Sequence, residues 1–292
     1  MLSYAIVTPA RNEEKHIQLT LESMVRQSRP PVRWVVVSDG STDRTDDIVT
    51  EYVSRAGWIE FVRLPVERDR TFAAKVHAFN AGLESIRGLS FDLLGNLDAD
   101  ISFEPDYFEY LLARFAENGR LGVAGTPFVE DGSHYDYRFT NIEHVSGACQ
   151  LFRRECFEEI GGYIPIEGGG IDWTAVTTAR MKGWQTRTFV DRTCTHHKPM
   201  GTGSSKGQVQ ALFRHGRKDC RLGGHPLWQL FRGAYQMTRR PLVVGGSALL
   251  AGYFWELAAG RERPISNELV RFNRAEQMAR LKAVLLRAGR RS

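Results

Sequence analysis

Apolar positions in the first two thirds of the chain fall into two alternating kinds of run. Short, largely β-branched runs at 4–8, 34–38, 59–64, 92–97, 121–125 and 186–190 read as strands. Between them the apolar residues return at helical spacing. Ile17, Leu21, Met24 and Val25 mark one amphipathic helix, which Pro30 and Pro31 prevent from continuing. A second helix follows Gly40, with Ser41, Thr42 and Asp43 placed to cap its free amides. The same periodicity predicts helices over 73–86, 105–117, 153–160 and 173–182. Strands and helices in alternation predict an α/β fold with a mainly parallel sheet covered by helices. After His197 the alternation stops, and the chain becomes basic, glycine-rich and helical in character. A catalytic domain over 1–200 and a basic, mostly helical C-terminal extension over 201–292 are therefore expected. Residues 241–255 carry no charge and include Gly245, Gly246 and Gly252. A spanning helix needs about 20 apolar residues, so this run predicts a buried or interfacial helix.

Ligands of open parallel sheets collect at the carboxyl ends of the strands, which directs attention to the residues just after each run. Three of these ends are polar: Thr8 to Glu14, Ser38 to Asp43, and Asn96 to Asp100. Asp98 and Asp100 flank one small residue, so in an extended segment both carboxylates face one side and can share Mg²⁺ or Mn²⁺. His196 and His197 follow the last strand, and adjacent residues of an extended segment point opposite ways, so at most one of them completes the metal site. Asp172 follows Gly168-Gly169-Gly170 and opens a predicted helix. On residue type alone it is a helix cap or a base kept ionised by the helix N-terminus.

Charge divides the chain. From His196 onward there are 18 Lys and Arg against 5 Asp and Glu, an excess of 13 positive charges, whereas residues 1–195 carry a balance of −8. An acidic first part suits a cation site and a basic tail suits an anionic surface. The four cysteines lack CxxC spacing, so neither a zinc site nor a disulfide framework is indicated, and reduced packing thiols are expected. The N-terminus runs directly into the first strand without a signal-peptide pattern, so a cytoplasmic protein is expected.

The segments TPARNEE, VVVSDGSTDRTDDI, AAKVHAFNAGL, LLGNLDAD, SGACQLFRREC, IGGY, GGGIDW, ARMKGW and CTHHKP occur in this order over most of residues 4–200. Together they resemble the inverting glycosyltransferase family 2, which has the GT-A fold. The resemblance implies a nucleotide-sugar donor, with Pro9 and Asn12 lining the nucleotide pocket, Asp39 on the base and Lys75 near the diphosphate or ribose. It also implies that Asp98 and Asp100 bridge to the diphosphate through Mn²⁺ or Mg²⁺, and that Asp172 is the base. The sequence departs from the family at Ser38, where many members carry aspartate, at Ala74, where glycine is common, and at Ile171, where glutamate often precedes the base.

Displacement at an anomeric carbon needs a base for the attacking hydroxyl and positive charge for the departing diphosphate. The expected reaction is transfer to a saccharide or lipid-linked saccharide acceptor in surface polysaccharide biosynthesis. The alternative is a polyprenyl-phosphate glycosyltransferase, whose acceptor is already ionised. A dinucleotide-binding dehydrogenase is excluded because Pro9-Ala10-Arg11-Asn12 stands where GxGxxG is required. GTGSSK at 201–206 lacks phosphate-loop spacing and reads as a mobile active-site loop. A sugar nucleotidyltransferase expects a basic, glycine-rich segment after the first strand, and only Arg11 is there. A non-catalytic sugar-binding module is the remaining class. Aromatic residues of the tail follow no nucleic-acid-binding pattern, so no nucleic acid partner is expected, whereas an anionic membrane at its inner face is.

Overall fold

A computed structural model of the chain describes residues 1–65, 72–130, 133–134, 141–166, 168–198 and 205–289. It divides into two compact units: Met1–Glu167 with Ile171–Pro199, and Gly168–Gly170 with Met200–Ser292.

In the first unit, strands β1 (Tyr4–Ala10), β2 (Arg33–Asp39), β3 (Ile59–Leu64) and β4 (Leu93–Leu97) alternate with helices α1 (Ile17–Val25), α2 (Thr45–Val53) and α3 (Phe72–Ser85). There follow β5 (Ile101–Ser102), α4 (Tyr107–Glu117), β6 (Leu121–Gly125), β7 (Phe128–Glu130), β8 (Ser133–His134), β9 (Cys149–Arg153), α5 (Arg154–Glu159), α6 (Ile171–Met181), β10 (Gln185–Thr188) and β11 (Cys194–His196). Seven strands form one sheet in the order β10-β6-β9-β4-β1-β2-β3, and β5-β11-β7-β8 form a second.

The large sheet is parallel except for β9, which runs antiparallel to both β4 and β6. β1 is buried along nearly its whole length, as expected of a strand covered on both faces. Helix α3 lies close on it because residue 82 is glycine: a Cβ there would meet Val7 Cγ1 at 2.6 Å and Val37 Cγ2 at 2.8 Å. In α1 the buried stripe is Ile17, Thr20, Leu21 and Met24. Val25 lies further round the helix and is exposed, contrary to the periodicity reading.

The strand order locates the ligand crevice. The chain passes from β1 outward to β3 and then crosses back to the other side of β1 as β4. Such a reversal leaves a gap between the loops that leave the two strands. The loops after β1 and β4 open this gap, with the end of β2 beside them.

The second unit contains α7 (Ser205–Arg221), α8 (Pro226–Met237), α9 (Val244–Ala258) and α10 (Asn267–Gly289). The uncharged run predicted from sequence forms α9, and its glycines are its packing face. A Cβ at Gly252 would lie 2.0 Å from the Phe213 carbonyl of α7, and one at Gly246 would lie 2.3 Å from the Gly233 carbonyl of α8. The helices therefore meet almost backbone to backbone. Among the described residues no helix is long and apolar enough to cross a membrane. Residues 201–204 of the GTGSSK run lie outside the described residues.

Candidate active site

Parallel pairing brings the strand ends together by register. Ala10 is level with Ser38 on β2, and Val7 is level with Asn96 on β4. Residues just beyond these pairs therefore surround one cleft, lined by Pro9, Arg11 and Glu13 from β1 and its loop, Asp39 from β2, and Asp98 and Asp100 after β4. Lys75 closes it from α3. Five of the sequence-predicted residues, Pro9, Asp39, Lys75, Asp98 and Asp100, thus share one cavity.

Asn12 is not among the lining residues. It occupies the left-handed region at φ 54°, a conformation that asparagine tolerates better than most residues. Its Oδ1 accepts from the Thr42 amide at 2.8 Å, and its own amide donates to Ser41 Oγ at 3.1 Å. Nearby, the Glu13 amide donates to Thr45 Oγ1 at 2.8 Å and the Arg44 amide to Glu14 Oε2 at 3.1 Å. These bonds lock the loops after β1 and β2 to each other. Asp43 accepts from the Thr45 amide at 3.0 Å at the start of α2, whereas Ser41 and Thr42 face Asn12. Ser38 Oγ donates to Asp46 Oδ1 at 2.6 Å.

Lys75 Nζ pairs directly with Asp98. Burial disfavours the ammonium charge, but Asp98, with Asp172 and Asp100 behind it, outweighs burial and holds the Lys75 pKa above its ordinary value. Asp98 is anchored through its amide, which donates to the Ala148 carbonyl at 2.9 Å. Asp100 is buried, and its Oδ1 has no hydrogen-bond partner among the described residues. Burial first, and then the Asp98 charge, push its carboxyl up to about 6, against the pull of His196.

The two histidines separate as alternation requires. His196 Nε2 lies 3.5 Å from Asp100 Oδ2, and its Nδ1 lies 3.7 Å from Glu130 Oε2. His197 turns the other way, with Nε2 2.7 Å from Ser102 Oγ and its ring stacked on that of His16. Burial, followed by repulsion from His16 and His196, lowers its pKa.

Antiparallel β9 was not foreseen in the hydrophobic pattern, yet it delivers the other side of the site. Its pairing with β4 puts Cys149 level with Leu97, so Gly147 and Ala148 arrive beside Asp98. Gly147 in turn contacts Asp172, in the first turn of α6: a Cβ at 147 would lie 3.0 Å from Asp172 Cβ. Sequence reasoning also missed Lys198, whose Nζ reaches Glu13 Oε1 at 2.5 Å, although both residues lie within segments that carry the resemblance.

Among the described residues no group of three or more His, Cys, Asp and Glu side chains is arranged to hold a metal unaided. Asp98 and Asp100 nevertheless fit a hard cation. One oxygen of Asp100 is buried without a hydrogen bond among the described residues, and Mg²⁺-type ions commonly use one or two carboxylates completed by substrate phosphates.

Residues 5–142 match the family described as Glycosyl transferase family 2. Over this stretch, which is just under half of the chain, the sequence is similar to that family. It is 27% identical over 170 residues to a poly-beta-1,6-N-acetyl-D-glucosamine synthase of Staphylococcus epidermidis, covering 51% of the chain and 39% of that protein. It is also 27% identical over 179 residues to the probable glycosyltransferase YdaM of Bacillus subtilis, covering 60% of the chain and 38% of that protein. The chain thus spans about two fifths of the length of these relatives. Among solved structures, the mannosyltransferase PcManGT of Pyrobaculum calidifontis, in complex with GDP-Man and Mn²⁺, superposes with a TM-score of 0.63 at 19% identity, over 89% of this chain and 88% of that one. TarS 1–349 of S. aureus in complex with UDP-GlcNAc gives 0.56 at 16% identity, over 73% and 66%. Both likenesses are of fold, and the fold is GT-A.

Proposed function

We propose that this chain transfers a sugar from a nucleoside-diphosphate sugar to a hydroxyl of a saccharide or lipid-linked saccharide, with inversion at the anomeric carbon. The observation that carries this reading is the placing of Lys75: it is paired with Asp98, feels the charges of Asp172 and Asp100, and stands where β1, β2 and β4 end. The proposed cation ligands and a fixed positive charge then line one cleft, and Asp172 lies within electrostatic reach of that charge although it is not itself among the lining residues. Residues 1–200 form the catalytic domain in this reading and 201–292 the extension.

Asp39 and Pro9 hold the nucleoside end, and Asn12 acts on it through the two loops it ties. Mn²⁺ or Mg²⁺ is held by Asp98 and Asp100, with His196 as the nearer histidine, and supplies the positive charge that a departing diphosphate requires. Lys75 adds a second positive charge to the same end of the donor. Asp172 takes the proton from the acceptor hydroxyl as that oxygen attacks the anomeric carbon and the bond to the diphosphate breaks. A single displacement of this kind inverts configuration. The relatives whose names specify poly-beta-1,6-N-acetyl-D-glucosamine synthesis support a saccharide acceptor in surface polysaccharide biosynthesis. The basic extension supports peripheral attachment at the inner face of a membrane.

The test is transfer from a panel of nucleoside-diphosphate sugars with Mn²⁺, comparing the native chain with Asp172→Asn. Donor binding should persist in the variant while transfer falls at least about a hundredfold, the lower range for general acid–base catalysis. Transfer that survives the substitution would favour a phosphate acceptor, which needs no base. Retained configuration would overturn the single displacement.

A further inference from the structure

Helix α9 presents an apolar face to solvent as well as to its neighbours. Gly245, Gly246, Leu249, Gly252 and Tyr253 are buried, while Val244, Ser247, Ala251 and Trp255 recur along the opposite side and are exposed. A solvent-facing helix surface ordinarily carries charge, and this one has none. The face continues into the loop from α8, where Leu242 and Val243 are 60% and 61% exposed, and it ends at Trp255, which is 64% exposed. Val243 sits at φ 57°, in the left-handed region that β-branched residues avoid. Backbone strain at an exposed apolar loop tip calls for a functional reason.

Charge indicates what covers this face. Between Asp219 and Glu256 the chain contains no acidic residue and four arginines, Arg221, Arg232, Arg239 and Arg240. The two bounding acids are themselves taken up by arginine: Asp219 pairs with Arg232, and Glu256 lies 2.8 Å from Arg217. Arg239 and Arg240 are exposed immediately before the apolar tip. Pairing of two copies through this face would juxtapose the same patch on both, bringing arginines together with no acid in the segment to receive them. Anionic phospholipid supplies both phosphate for the guanidinium groups and a hydrocarbon boundary for Leu242, Val244 and Trp255. The 15 residues of α9 extend roughly 22 Å, short of the ~30 Å of a bilayer core, so the helix lies in the interface and does not cross it.

We infer that the α8–α9 hairpin is an interfacial membrane anchor, inserting the Leu242–Val244 tip and the Trp255 side of α9 beneath the headgroups of an anionic bilayer while Arg239 and Arg240 hold its phosphates. This deepens the membrane attachment in the reading above by naming the surface and the lipid, and it rests on that reading.

The experiment is co-sedimentation of the full chain with vesicles of phosphatidylcholine alone or with about 30% phosphatidylglycerol, alongside donor binding measured without vesicles. Partition should be at least about tenfold stronger with the anionic lipid at low salt and should weaken as salt rises. Leu242→Ser combined with Val244→Ser and Trp255→Ser should reduce it about tenfold with donor binding unchanged. If that variant fails to fold, Arg239→Glu with Arg240→Glu serves instead, and should abolish the anionic preference. Absence of partition, or equal partition of these variants, overturns the anchor. Self-association of the native chain that the triple substitution abolishes also overturns it, assigning the face to a second copy. Because donor binding is read separately, failure of the anchor is distinct from failure of the transferase reading.

Discussion

His196 Nε2 stands 3.5 Å from Asp100 Oδ2, while the other oxygen of Asp100 is buried with no hydrogen-bond partner among the described residues. The carboxyl is pushed up to about 6, burial being the larger cause and Asp98 the next. Its folded pKa therefore exceeds the ordinary value of 3.8, and the native state holds the proton more tightly than the unfolded chain. The sign follows: stability of the metal-free protein should fall as pH rises from about 4 to 6 and level off above. Each pKa unit corresponds to about 1.4 kcal/mol, so Asp100→Asn should stabilise the metal-free protein by about 3 kcal/mol at pH 7.5 and by well under about 1 kcal/mol at pH 4. Denaturant unfolding in chelator at both pH values checks this. Mn²⁺ should stabilise the native chain increasingly above pH 6 and leave the variant unaffected.

The Lys75–Asp98 pair predicts effects of opposite sign on two ligands. In the proposed arrangement, Lys75 and a metal compete for the Asp98 carboxylate, but both offer positive charge to a diphosphate. Lys75→Met should therefore tighten Mn²⁺ binding several-fold and weaken donor binding at saturating Mn²⁺ by about tenfold, the equivalent of ~1.4 kcal/mol. Titrations with metal alone and then with donor separate the two. A parallel loss of both would mean that Lys75 only supports the fold.

At Asn12 the prediction concerns stability. Alanine would remove the bond to the Thr42 amide and remain at φ 54°, where a Cβ is strained. Glycine relieves the strain and still loses the bond. Asn12→Ala should cost about 2 kcal/mol and Asn12→Gly about 1 kcal/mol in thermal or denaturant unfolding. Equal costs would show that the backbone conformation contributes nothing.

What was legible in the sequence is what short-range pattern encodes. The strands that end at the cleft are apolar runs closed by polar residues, so the order of residues along the chain is enough to place Asp39, Asp98 and Asp100 at strand ends. Gly170 and Asp172 announced a helix start in the same way. β9 could not be read, because CQLFR breaks its apolar residues with Gln150 and Arg153 and leads directly into the helical pattern of α5, and its antiparallel pairing depends on partners in β4 and β6 that lie far from it along the chain. Lys198 and Glu13 are separated by 185 residues, and nothing in either segment specifies the other. The choice between His196 and His197 was likewise open, since alternation puts them on opposite sides without saying which side holds Asp100. The exposed apolar side of α9 was hidden for a different reason: absence of charge marks a helix as apolar but does not say which of its faces is covered.

Gly147 provides the test of how finely Asp172 is positioned. A Cβ at residue 147 would lie 3.0 Å from Asp172 Cβ and 3.3 Å from its Oδ2, so Gly147→Ala should displace the carboxylate by a few tenths of an ångström while leaving β9 and its pairing with β4 in place. Reacting groups lose effective molarity steeply as they leave the attack geometry, whereas the donor, bound by Pro9, Asp39 and the cation ligands, makes no contact with the new methyl group in the proposed arrangement. Turnover should therefore fall about tenfold with donor affinity unchanged. A drop in turnover alone is also what a damaged fold produces, so the decisive measurement is the double variant. If Gly147→Ala acts only by moving the base, it has nothing left to act on in Asp172→Asn, and the double variant should match Asp172→Asn within error. If the two losses instead multiply, Gly147 affects turnover by a route independent of Asp172, and the assignment of Asp172 as the base loses this support.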